Sequence, residues 1–212
     1  MALLFFMKYL QLPLLFTFII SIIGISSCTY TKIPQRKETK LLVKGKVVDT
    51  TSYVYDLPYP KGMSFRLVQD YYTHLTHKRR AALDFRMPIG STVCAAREGV
   101  IYKTKQDGTK GGFQRSDRSF ANYIIIEHVD GSRAGYWHLR RNSIFVNVGD
   151  SVLKGQPIAL SGNTGLTFFP HLHFIVWSFD KDRNFLQQPT RFRTQKGNRY
   201  IKAVHKYKNP GI

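Results

Sequence analysis

Acidic residues are scarce in this chain. Its 212 residues hold 13 Asp and Glu against 32 Lys and Arg, a formal net charge of +19. A surface of that sign attracts polyanions without choosing among them. Cysteine is scarcer still, with Cys28 and Cys94 alone. No Cys-x-x-Cys spacing exists, which excludes a thiolate zinc finger and a disulfide framework. Cys94 follows Thr92-Val93 and precedes Ala95-Ala96, so it is expected as a small buried hydrophobe in a core strand, without an intramolecular disulfide. Sustained 3.6-residue periodicity is missing outside an N-terminal apolar segment, and there is no internal repeat. A recognition helix and an RNP-type aromatic motif are missing too, so the charge is not read as specific nucleic-acid binding.

What is present is a series of short apolar runs between turn signals: Asp107-Gly108, Gly111-Gly112, Asp130-Gly131, Val148-Gly149-Asp150 and Gly162-Asn163. That pattern predicts a mainly β, antiparallel fold with few short helices. The aromatics mostly alternate with apolar residues and are assigned to the core. The polar stretch 103–118 is expected as a surface loop.

The most informative run is Pro170-His171-Leu172-His173-Phe174-Ile175-Val176-Trp177. As a strand it places His171 and His173 on one face and Leu172 and Phe174 on the other. Paired imidazoles on a sheet can floor a metal site; a structural His-x-His on a solvent-facing strand fits the same run. A second signal is Asp84, inside the apolar stretch Ala81-Ala82-Leu83-Asp84-Phe85, where a carboxylate is costly without a partner or a metal. A third is His138 in the aromatic run Gly135-Tyr136-Trp137-His138-Leu139. His77 precedes Asp84 by seven positions. His128 reads as a structural histidine closing a core strand, His205 as a surface residue, and His74 as a solvated loop residue or a substrate contact.

Taken in order, His77…Asp84, Tyr136-Trp137-His138-Leu139, the Gly-rich hairpin Val148 to Gly165 and His171-Leu172-His173 resemble the lysostaphin-type (LytM-like) zinc endopeptidases. The resemblance covers about residues 55–180. Many members space the first pair as His-x-x-x-Asp; the longer spacing here resembles a subgroup with Ala-Leu-Asp-Phe after the histidine. The resemblance implies one Zn2+ per chain held by His77, Asp84 and His173, with His138 and His171 as the catalytic pair. It also implies a groove over an antiparallel sheet and hydrolysis of peptide bonds in peptidoglycan stem peptides or cross-bridges during wall remodelling. The Gly-Asp-x-Val-x-x-Gly-Gln turn is also similar to that of biotinyl and lipoyl domains, and is scaffold.

Residues 9–25 are mostly apolar and are followed by Ile25-Ser26-Ser27-Cys28, small residues of the kind that precede a cleavage point. The tetrad resembles a bacterial lipobox. Residues 1–27 are therefore expected to be a lipoprotein signal peptide, with Met7 the better start and Cys28 the lipidated residue. Residues 28–50 are expected as a tether, 51–190 as the peptidase domain and 191–212 as a basic C-terminal tail. The expected place is the cell envelope, lipid-anchored to a membrane and facing the wall, with peptidoglycan, anionic envelope polymers and the membrane as partners. Two other classes remain open at this point. One is a non-catalytic member of the fold that activates a murein amidase; the other is a basic wall-binding lipoprotein without chemistry. The full His/Asp set favours the enzyme.

Overall fold

The structure, a computed structural model, describes residues 34–211. The expected signal peptide, Cys28 and the start of the tether lie outside these residues. In chain order the elements begin with α1 (Pro34–Val43), β1 (Val54–Tyr55), β2 (Ser64–Gln69), β3 (Ala82–Arg86), β4 (Thr92–Cys94), β5 (Gly99–Lys105) and β6 (Gly111–Gly112). A 3-10 turn at Arg115–Phe120 leads to β7 (Tyr123–Glu127), β8 (Arg133–Trp137), β9 (Leu139–Ile144), β10 (Ser151–Val152), β11 (Pro157–Ser161) and β12 (Gly165–Leu166). Then come β13 (Leu172–Phe179), β14 (Phe185–Gln188), β15 (Arg191–Thr194), β16 (Gly197–Tyr200) and β17 (Lys206–Lys208).

A nine-stranded sheet carries the site. Eight strands run β10-β5-β7-β8-β13-β3-β2-β17, and β14 adds to β13 beyond β3. All of its pairings are antiparallel, as the turn-punctuated sequence predicts. One face of the sheet is the core. Phe174, Tyr136, Phe85, Leu83 and Ile124 are almost wholly buried there, together with Val93 and Ile158 of the small sheet β4-β11-β9. Each such side chain gains about 1.5–3 kcal/mol from leaving water. The period of two then fixes the opposite face, where Asp84, Trp137, His173, Ile175 and Trp177 stand. Cys94 is buried and unpaired in β4.

Two segments differ from the sequence expectation. Residues 34–43 of the expected tether form a helix, opened by a proline and filled by good helix formers. Residues 191–208 of the expected tail are built into the domain: β15 and β16 join β1 in a three-stranded sheet, and β17 pairs with β2. Phe192 and Ile201 are fully buried, so this basic segment is anchored by apolar residues set between the charges. The expected loop 103–118 contains the end of β5, β6 and part of the 3-10 turn.

Candidate active site

Strand register builds the site. Across the large sheet one row of partners reads Lys105, Tyr123, Trp137, His173, Asp84, Gln69. Partners in a row share a face, so pairing β13 with β3 sets His173 beside Asp84 although 89 positions separate them. His77 enters from the loop between β2 and β3. That loop is pinned by backbone bonds from Arg80 N–H to the His77 carbonyl (2.9 Å) and from Tyr72 N–H to the Arg80 carbonyl (2.8 Å). His138 joins β8 to β9 with φ at 66°, a left-handed conformation uncommon outside glycine. The reversal lets the chain leave the sheet while the imidazole turns back over it. A buried network holds this corner: Thr164 Oγ1–H donates to the Leu139 carbonyl (2.8 Å), and the Asn122 amide donates to the same carbonyl (3.3 Å).

The five residues singled out in the sequence meet in one place. His77 is fully buried, and Asp84, His138, His171 and His173 are each at most 9% exposed. His77 Nε2, Asp84 Oδ1 and His173 Nδ1 form a triangle with sides of 3.2, 2.8 and 3.3 Å. His171 Nε2 lies 3.7 Å from the same carboxylate oxygen, and the rings of His138 and His171 are 4.6 Å apart. His74 is exposed and stands apart from the cluster; His205 is exposed as well. His128 is buried, with its Nδ1–H donating to the Glu98 carbonyl at 2.7 Å.

Carbonyl partners fix the tautomers, since a carbonyl only accepts. His138 Nδ1–H donates to the Thr164 carbonyl (2.7 Å), and His171 Nδ1–H to the Phe169 carbonyl (2.8 Å). His77 Nδ1–H donates to the Asp70 carbonyl at 3.1 Å. In each ring Nε2 is therefore the free lone pair, and in each it is turned to the shared centre. Gln69 completes the support: with its amide turned so that the oxygen faces the loop, that oxygen accepts from the His77 backbone N–H at 2.9 Å. Gln69, Thr164 and Phe169 carry no sequence signal; two of the three act through backbone carbonyls, which any residue supplies.

Electrostatics sharpen the arrangement. Burial alone raises the Asp84 carboxyl, but its contacts with His173 and His77 outweigh burial and hold it well below the usual carboxylate range. Burial, then the neighbouring His171 and His173, push His138 down to about 3. His173 is lowered as well, by burial first, against the opposing pull of Asp84. The centre is a buried carboxylate ringed by imidazoles, of which His138 and His173 are both pushed toward the neutral form. Among the described residues two donor triplets are possible, His77/Asp84/His173 and His138/His171/His173. The first holds the carboxylate.

With that geometry in place, sequence comparison decides the family: the profile of peptidase family M23 matches residues 78–185. The chain belongs to peptidase family M23. The matched stretch opens one residue past His77 and takes in Asp84, His138, His171 and His173. The M23 chain is 38% identical over 91 residues to the peptidoglycan DD-endopeptidase ShyA of Vibrio cholerae, covering 43% of this chain and 18% of that protein. It is 38% identical over 109 residues to an uncharacterized metalloprotease of Buchnera aphidicola, covering 51% of this chain and 26% of the other. Among solved structures it is similar to the antimicrobial peptidase lysostaphin from Staphylococcus simulans, at 31% identity and a TM-score of 0.44, over 58% of this chain and 46% of that one. The chain spans about a quarter or less of the length of these two curated relatives.

Proposed function

We propose that this M23 chain is a zinc-dependent endopeptidase that hydrolyses peptide bonds of peptidoglycan stem peptides or cross-bridges. The observation that carries the reading is the convergence of three buried donor atoms, one of them a carboxylate, beside two further imidazoles with free Nε2 atoms. The donor set suits zinc. Bonds of about 2.0–2.1 Å to a tetrahedral ion set donor atoms about 3.3 Å apart, close to the sides of the His77/Asp84/His173 triangle. When bound, zinc supplies Lewis acidity toward a peptide carbonyl and acidifies water toward neutral pH.

The remaining work falls to this chain's own residues. His138 is held neutral by burial, with its proton on Nδ1, so Nε2 is ready to take a proton from water and return it to the leaving amine. His171 has the same tautomer at the Phe169 carbonyl and sits across the same centre; once protonated, its Nε2–H can donate to the oxyanion that develops on the substrate. His77, Asp84 and His173 hold the ion, and the fixed tautomer of His77 leaves its Nε2 lone pair free for it. Trp137 and Trp177, their rings 6.0 Å apart, form an apolar floor alongside.

Names of the relatives support the substrate: ShyA is a peptidoglycan DD-endopeptidase. The envelope location, the lipid anchor at Cys28 and its signal peptide belong to the same proposal, and rest on the lipobox-like tetrad and the basic surface. The test is zinc stoichiometry and digestion of purified peptidoglycan by the full chain. About one zinc per chain, with release of cleaved muropeptides that stops on chelation, is expected. A zinc-free chain that leaves peptidoglycan intact overturns the reading.

A further inference from the structure

A cavity of about 460 Å³ lies away from the active-site residues, where the segment 42–49 meets β16 and β17. Its lining is strongly cationic: Lys44, Lys196, Arg199, Lys202, Lys206 and Lys208 all contribute. None of the six forms an ion pair among the described residues. The single carboxylate in the lining, Asp49, is already engaged: it accepts from the Tyr200 hydroxyl (2.5 Å), the Thr51 N–H (2.8 Å) and the Ser52 N–H (3.0 Å). Arg191 is used structurally, donating to the Asp49 and Ser52 carbonyls. Six cations thus face one carboxylate in the concavity, and none of the six pairs with an acid among the described residues. Like charges gathered this way repel, and the arrangement is favourable when an anion enters.

The cavity has a second wall of a different kind. Val47 and Val48 belong to the lining and are 43% and 80% exposed. Val204, between the lining residues Lys202 and His205, is 68% exposed and has φ at 65°. A β-branched residue in that region is strained. It is held there by Val204 N–H donating to the Leu67 carbonyl and Leu67 N–H donating to the His205 carbonyl (2.8 and 2.9 Å). Strain is thus spent presenting an apolar side chain to solvent next to a cationic concavity. Cations that bind phosphate, beside exposed apolar side chains that leave water, is the chemistry of a lipid headgroup region. A soluble polyanion would need only the first.

We propose that this cavity is a docking site for the phosphate headgroup of an anionic lipid, with Val47, Val48 and Val204 entering the interfacial layer. The site lies where the chain enters the domain, so it would seat the peptidase against a membrane surface by contacts of its own. The inference is independent of the peptidase reading and of lipidation at Cys28.

Hydrogen exchange on the full chain reads the site directly, whatever residues 1–33 contribute. The probes are short-chain phosphatidylglycerol, short-chain phosphatidylcholine and inorganic polyphosphate. Phosphatidylglycerol is expected to slow exchange in 44–49 and 197–208, and phosphatidylcholine to leave both unchanged. Arg199→Gln with Lys202→Gln and Lys206→Gln should weaken phosphatidylglycerol binding by roughly tenfold or more. Val47→Ser with Val48→Ser should weaken it while sparing polyphosphate. Equal protection by polyphosphate with no effect of the valine changes assigns the cavity to a soluble polyanion and overturns the proposal. So does a triple variant that binds phosphatidylglycerol like the wild type, which leaves Arg199, Lys202 and Lys206 as solvated surface charges. Unchanged circular dichroism in each variant shows that the exposed substitutions have left the fold intact.

Discussion

Replacing His138 tests the chemistry without touching the donor triangle. On the proposed mechanism His138→Ala removes the group that moves the proton, and general acid–base transfer is worth about 10²–10⁴ in rate. At 1.36 kcal/mol per decade that is about 2.7–5.4 kcal/mol of barrier. The structural cost is separate and smaller. The bond to the Thr164 carbonyl contributes about 1 kcal/mol, and the backbone stays left-handed at φ 66°. His138→Asn controls for the latter, because asparagine tolerates that conformation better than alanine. Both variants should keep the zinc stoichiometry of the wild type and lose turnover on peptidoglycan by at least 10²-fold, with Asn the better folded. A loss below tenfold in a zinc-loaded variant would refute His138 as the proton carrier. Loss of zinc from both variants would instead move the metal to the His138/His171/His173 triplet.

Other outcomes follow from particular residues. His77→Ala should abolish zinc binding and activity, whereas His74→Ala, three positions away and exposed, should leave zinc content unchanged by metal analysis. Gly135 lies under the tryptophan floor, and a Cβ there would stand 2.0 Å from Trp137 and 3.0 Å from Trp177. Gly135→Ala should cost about 1–3 kcal/mol, on the order of 2–10 °C in Tm, with a shift in tryptophan emission. In the metal-free protein, melting followed against pH should show stability falling with acidity in two stages. His138, at about 3 in the fold against an ordinary 6.5, and His128, also lowered by burial, bind fewer protons folded than unfolded. Stability is therefore lost as pH drops below about 6.5. Asp130, held at about 2 by Ser132 and Arg97 against the opposing effect of burial, adds stability above its ordinary 3.8 that disappears as pH falls through 2. His138→Asn should flatten the first stage; an unchanged slope between pH 6.5 and 4 would contradict the buried neutral histidine.

The sequence by itself determined the class of the fold and the cast of the site. A period of two is visible in any strand, so His171 and His173 had to share a face, with Leu172 and Phe174 opposite. An acid in an apolar strand is visible too, and marked Asp84. Where charge hides the period, the sequence misleads: Arg191-Phe192-Arg193-Thr194 alternates half-buried with buried residues, yet reads as a basic tail. Residues 34–43 lack a strong apolar stripe, so their helix is not apparent. What only the tertiary structure decided is distance. Register between β13 and its two partners, β3 and β8, brings His173 to Asp84 and to Trp137, a left-handed turn aims His138 inward, and backbone carbonyls of Asp70, Thr164 and Phe169 choose the tautomers. Those carbonyls have no side-chain identity to read, and the cationic cavity beside β16 arises only when segments 150 residues apart in the chain are folded together.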